Sequence, residues 1–201
     1  MKQNDNRVRK EAEEVTEIAR SSTLLAISNS QRMRVLGLLR VEGPMTVGMI
    51  SDATGMVPGS VSFHLKKLSE AGMAEKTDSI DGDRRKSWWK AVHRSMRPAP
   101  HKDGRIDDAE YAYFQSVATT YESLYERYLD SVNDLPQEWR GTGLCEDRTF
   151  DLTPDEVEQM SLELDAVAQK WQRRASELQR DAAPRNTRKV QIIMQVFPWI
   201  P

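Results

Sequence analysis

Hydrophobic positions along this chain recur mostly at spacings of three and four, and in a few places give way to alternation. From Arg9 to Ala19, Ala12, Val15, Ile18 and Ala19 fall on one side of a short amphipathic helix. Ser28-Asn29-Ser30 supplies N-caps for a second helix, whose inward face is Met33, Leu36 and Leu39, and Gly43-Pro44 stops it. Thr46 caps a third, with Met49, Ile50 and Ala53 as its apolar face. Gly55 ends that helix by taking the positive φ a sharp turn needs. A fourth spans about 57–71, with Pro58 in its first turn, where a missing N–H costs nothing. Its buried stripe is Val61, Leu65 and Leu68.

Past Gly72 the period changes. The runs 73–78 and 86–92 read as extended and flank an Asp81-Gly82 turn, which predicts a hairpin. Prolines and a glycine mark 98–105 as a linker. A long helix then covers about 106–132, with Phe114, Val117, Tyr121, Leu124 and Tyr128 at near-heptad spacing and Tyr125 beside them. These six residues form a surface for dimerisation or for a small-molecule effector. Residues 133–147 are irregular, and 148–152 reads as a short strand. Thr153-Pro154-Asp155-Glu156 opens a further helix with a cap, a proline at its first position and acids where the dipole favours them. Alternation over 189–198 predicts a terminal strand, which needs a partner and would take 148–152 from the same subunit or the other one. The expected fold is mainly α (α+β), a helix–turn–helix with a hairpin wing over 1–97, followed by a helical half carrying a two-stranded sheet.

Composition narrows the function. With 38% hydrophobic and 30% charged residues and no long apolar run, the chain reads as water-facing, with no membrane partner. The opening MKQNDNRVRKEAEE has no apolar stretch, so a secretory signal is not expected and the cytoplasm is the expected compartment. Cys145 is the single cysteine, which excludes an internal disulfide and a cysteine metal cluster. The net charge of −2 conceals an asymmetry. Residues 1–100 hold 17 Lys and Arg against 12 Asp and Glu, and residues 101–201 hold 12 against 19. Only the first half suits a polyanion. Three histidines without nucleophile spacing, and no glycine-rich phosphate loop, argue against an enzyme and imply no cofactor.

A helix–turn–helix sets its second helix in the DNA major groove, with the early residues of that helix on base edges. Here that helix presents Gly59, Ser60, Ser62, Phe63, Lys66 and Lys67 opposite the buried stripe, and Arg84, Arg85 and Lys86 sit on the hairpin as a basic wing. His64 borders the stripe and could serve either side. Thr46, at the start of the preceding helix, completes the set of candidate contacts.

The ordered series SNSQRMRVLGLL, TVGMISDATGM, GSVSFHLKKLSEAGM and RRKSWWKAV over residues 28–97 resembles the winged helix–turn–helix of ArsR-like bacterial transcriptional regulators. The resemblance implies groove contacts from Ser60, Ser62, His64 and Lys66. Two departures matter. Val57 stands where relatives commonly have a capping serine, and the cysteine pair of the metal-sensing members is missing, so metal sensing does not carry over. The Thr-Pro-Asp-Glu helix and terminal strand also resemble the C-terminal half of some actinobacterial members. The expected function is a sequence-specific regulator acting as a homodimer on double-stranded DNA with a palindromic operator. The alternative is a winged-helix protein–protein adaptor that does not meet DNA.

Overall fold

The computed structural model describes residues 15–83, 85–99, 104–178 and 186–200. The chain divides into two units, one through Asp130 and one from Ser131. The first runs β1 (Thr16–Ile18), α1 (Ser21–Ile27), α2 (Ser30–Glu42), β2 (Met45–Thr46), α3 (Val47–Thr54), α4 (Pro58–Glu70), β3 (Ala74–Thr77), β4 (Trp88–Ala91), β5 (Met96–Pro98) and α5 (Asp108–Ser131). Strands β2, β4 and β3 form an antiparallel sheet in that order, and β1 pairs in parallel with β5.

The predicted caps are in place. Asn29 accepts the Arg32 N–H at 3.0 Å, and the Thr46 hydroxyl accepts that of Met49 at 3.3 Å. Gly55 takes φ 72° and Pro58 opens α4. The stripe of α4 is fully enclosed: Val61, Leu65 and Leu68 join Ile27, Val35, Leu36 and Ile50 in the core. Against expectation, Ala53 and Met49 are exposed and Thr54 is the buried partner of Ile50. The side chain of Thr54 can face inward because its hydroxyl donates to the Ile50 carbonyl (2.6 Å) and accepts the Met56 N–H (3.3 Å). Ser51 donates to the Met56 carbonyl at 2.6 Å, so two hydroxyls fasten the turn between α3 and α4.

Three expectations are corrected. The helix proposed for Arg9–Ala19 lies outside the described residues up to 14, and beyond that Thr16–Ile18 is a strand. The edge of β5 wins there: the Thr16 N–H reaches Ser95 O at 3.1 Å and the Ala99 N–H reaches Ile18 O at 3.0 Å. Second, the long helix does not separate from the winged domain at 98–105. Pro98 is still in β5, and Ala109 and Tyr113 are buried in the same core as α2 and α4. Residues 100–103 of that linker lie outside the described residues. An Asp107–Glu110 capping box starts α5, and the Ser21 hydroxyl donates to Asp107 Oδ2 at 3.0 Å, which ties α1 to it.

Third, the C-terminal sheet does not form. The second unit contains short 3₁₀ turns at Val132–Asp134 and Gln137–Trp139 and a long helix, α6 (Pro154–Leu178). Its predicted cap is present, with the Thr153 N–H and hydroxyl on Glu156 Oε2 at 2.8 and 2.7 Å. Residues 148–152 and 189–198 carry no strand. A strand needs a ladder partner and a covered face, and here Val190, Ile192 and Phe197 have neither. No described residue of this unit is buried.

Candidate nucleic-acid interface

The interface is built on α4. Because Val61, Leu65 and Leu68 are locked inward, the helix can present only one other side, and that side carries Gly59, Ser62, Phe63 and Lys66, all exposed, with Ser60 half-buried at its edge. The side chains of Ser60, Ser62 and Lys66 bond to no other described residue. An added Cβ at Gly59 would meet nothing within 4 Å, so a ligand can approach the backbone there. The N-cap residue Val57 makes no side-chain capping bond, as the missing serine predicts; Pro58 has no N–H, and the Ser60 and Val61 N–H groups return to Val57 O at 3.0 and 3.2 Å. At the other end the Met73 N–H returns to Leu68 O at 2.8 Å and Gly72 takes φ 73°, which turns the chain from α4 into β3.

His64 is not on the exposed side. Its ring is 6% exposed, its Nε2 lies 3.0 Å from Gln31 Oε1, and it packs edge-on against Phe63 with centroids 5.6 Å apart. Burial first, and Arg32 second, hold its pKa below the ordinary 6.5, so the ring is neutral near pH 7. The sequence places His64 at the stripe's border, and its burial, with Nε2 on the exposed Gln31 side chain, decides for the inside. Lys67 is also committed, since its Nζ pairs with Glu70 at 2.7 Å. Thr46 is half-buried, and its hydroxyl serves the cap of α3.

The wing is less basic than its arginines suggest. Arg84 lies outside the described residues. Arg85 makes paired contacts with Asp83, Nε at 3.0 Å and Nη2 at 3.2 Å. Lys86 Nζ sits 2.7 Å from Asp81 Oδ2 and 3.9 Å from Asp83 Oδ2. The Lys86 hydrogen bond, helped by the Asp83 N–H and Ser79, drives the Asp81 carboxyl far below the usual carboxylate range. The tip is therefore a closed set of opposite charges. Its signal in the sequence was the alternation Asp81-Gly82-Asp83 followed by three cations, which places each acid within reach of a base. Behind the tip, Glu75 and Lys90 face each other across β3 and β4 at 3.0 Å. Trp89 packs on the core with Lys76 Nζ 5.6 Å from its ring, while Trp88 points to the other face of the sheet and is buried.

On α5 the face that meets the core through Ala109, Tyr113 and Val117 continues past it. Tyr121 and Leu124 are half-buried there, and Phe114, Tyr125 and Tyr128 are exposed, with the last two rings stacked 5.9 Å apart. Tyr113, absent from the expected seam, is the aromatic that enters the core, where burial pushes its hydroxyl up to about 12. Arg40 reaches the same region and donates from Nε to His93 O at 2.9 Å. Among the described residues no group of three His, Cys, Asp or Glu side chains could hold a metal, and no helix is long and apolar enough to cross a membrane.

Residues 29–76 match the family model described as "Bacterial regulatory protein, arsR family". No curated protein matches the chain. Among solved structures, the chain is similar to a Lactococcus lactis ZitR mutant in apo form, with 20% identity, 72% of this chain and 83% of that one covered, and a TM-score of 0.32. YusO from Bacillus subtilis matches at 17% identity, covering 74% and 82%, with a TM-score of 0.31. A ZitR mutant in complex with DNA matches at 19% identity, covering 71% and 74%, again with a TM-score of 0.31.

Proposed function

We propose, from the match of residues 29–76 to the arsR family model, that the chain is a DNA-binding transcriptional regulator, working as a homodimer on a palindromic operator. The observation that carries this reading is the exposed side of α4. Its Ser60, Ser62 and Lys66, which bond to no other described residue, stand opposite a fully enclosed apolar stripe, on a helix positioned by the two-hydroxyl turn before it. Hydroxyls and an ammonium with no internal partner, next to an open glycine, suit phosphate oxygens and base edges.

A single such helix touches only a few base pairs. Two-fold pairing would offer two reading helices to half-sites one helical turn apart, about 34–36 Å. The bare end of the α5 face, with Tyr121, Leu124 and Tyr128, supports pairing through that helix. The test is binding to duplex DNA from upstream of its own gene as a function of salt. Wild type should bind at moderate salt, and Lys66→Ala should flatten the salt slope by roughly one unit per reading helix. Failure to retain any duplex in a salt-dependent way would overturn the reading.

One observation favours the adaptor reading instead. Among the described residues, the wing cations Arg85 and Lys86 and the helix cation Lys67 are already paired with carboxylates, which is the surface expected of a module that meets protein. Co-purification with a protein partner and no DNA retention would decide for it.

A further inference from the structure

The reading helix carries few of the side chains that usually distinguish bases. Arg or Lys reads guanine, and Asn or Gln reads adenine, through paired hydrogen bonds in the major groove. Arg, Asn and Gln do not occur between Pro58 and Glu70, which leaves Lys66 and Lys67. Its one imidazole is turned inward onto Gln31, and Lys67 is held by Glu70. What remains on the open side is two hydroxyls, one ammonium, a bare glycine and one large apolar group.

That group is Phe63. It is 53% exposed on a helix whose neighbouring apolar residues are fully enclosed. It is also not loose, because the edge of the buried His64 ring supports it at 5.6 Å, with an interplanar angle of 65°. A phenyl held in place on an otherwise polar face offers apolar area whose burial by a ligand is favourable. In the major groove the largest apolar feature available to cover it is the C5-methyl of thymine, since cytosine has only a C–H at that position and the other groups that distinguish the bases are hydrogen-bond donors or acceptors. Phe63 stands on the second turn of α4, one turn in from Gly59, which lets the helix backbone close on the duplex without a side chain in the way.

We infer that Phe63 is the principal base reader of this helix and that it recognises thymine through its 5-methyl group, which makes the operator's specificity apolar rather than hydrogen-bonded. The inference rests on the DNA-binding reading above, and the test separates the two. Full-length protein is used to select duplexes from a random-sequence pool, and the selected site is then synthesised with uracil replacing thymine at one position at a time. The substitution removes a methyl and alters no hydrogen-bonding edge. At one position in each half-site uracil should weaken binding about fourfold, the value of one buried methyl group. Phe63→Ala should weaken binding to the thymine site at least about tenfold and abolish the difference between thymine and uracil. Phe63→Leu should retain part of that difference.

If wild type selects no duplex, the DNA-binding reading fails and takes this inference with it. If wild type selects a site but uracil is neutral at every position, DNA binding stands and Phe63 is not a methyl reader. A uracil penalty that persists in Phe63→Ala assigns the methyl contact to another residue and also overturns the inference. The uracil arm leaves the protein unchanged, so it reads the contact even if a variant folds poorly.

Discussion

The closed charge set at the wing tip makes a prediction opposite in sign to the usual loss-of-charge experiment. Arg85 and Lys86 can reach phosphates only by leaving Asp83 and Asp81, to which they are held at 2.7–3.0 Å. Converting both acids to amides, Asp81→Asn with Asp83→Asn, keeps the turn's size and its short-range acceptors but frees the two cations. Each cation newly placed on a phosphate steepens the slope of log affinity against log salt by about 0.9. The two wings of the dimer would free four and add about 3.6, which between 0.1 and 0.3 M salt corresponds to a roughly fiftyfold greater loss of affinity than wild type shows. Protonation cannot substitute for the mutation, since the Lys86 hydrogen bond keeps Asp81 ionised far into acid. The assay is fluorescence anisotropy on one labelled duplex across a salt series, with wild type, the double variant and the same variant also carrying Arg85→Ala and Lys86→Ala. The slope should steepen in the double variant and fall to or below wild type in the fourfold one. An unchanged or shallower slope in the double variant would refute the view that these acids compete with the DNA for the wing cations.

Three further outcomes are expected. Leu65→Ala removes a fully enclosed side chain that touches no ligand, and it should cost about 2–5 kcal/mol, read as a shift of the urea midpoint with an unchanged slope. His64 and His93 both have pKa values lowered from 6.5, chiefly by burial, so the unfolded chain takes up protons first. Their contribution to stability is full above the unfolded value and is lost as pH falls below it through the lowered folded values, so the urea midpoint should drop as the pH is taken down through the unfolded histidine value, and a flat profile there would contradict the buried placement. Leu124→Glu with Tyr128→Glu puts two charges on the bare end of the α5 face, and sedimentation equilibrium should then show a monomer where wild type shows a dimer, with the helical content retained.

What could be read in advance was whatever depended on short-range chemistry. Asn29, Thr46, Gly55, Pro58 and the Thr153–Glu156 box are all local signals, and each fixes a helix end as its side chain or φ requires. The Val61–Leu65–Leu68 stripe followed from period alone. Distant pairing was not legible. Nothing near Thr16 indicates that β5, eighty residues on, offers it an edge. His64 needed Gln31, thirty-three residues earlier, to settle which way it faces. The strands expected at 148–152 and 189–198 had the right alternation, but alternation only states a preference, and the ladder that would realise it is absent. At the wing the sequence showed the cations and undervalued the acids between them, because counting charge ignores which groups are within reach of each other.

The β1–β5 pair also has a mechanical meaning. The chain enters the reading module at Thr16 and leaves it at Pro98, and these two segments lie parallel, with Thr16 beside Met96 and Ile18 beside Pro98. Tension applied between the two exits pulls the strands lengthwise past each other, so their hydrogen bonds bear load together rather than peeling one at a time. A tug arriving along α5 is thus met first by this short shear clamp and by the Ser21–Asp107 bond, before it can strain α4. What load the clamp does not take reaches α4 through the shared core, where Ala109 and Tyr113 of α5 sit with Val61, Leu65 and Leu68.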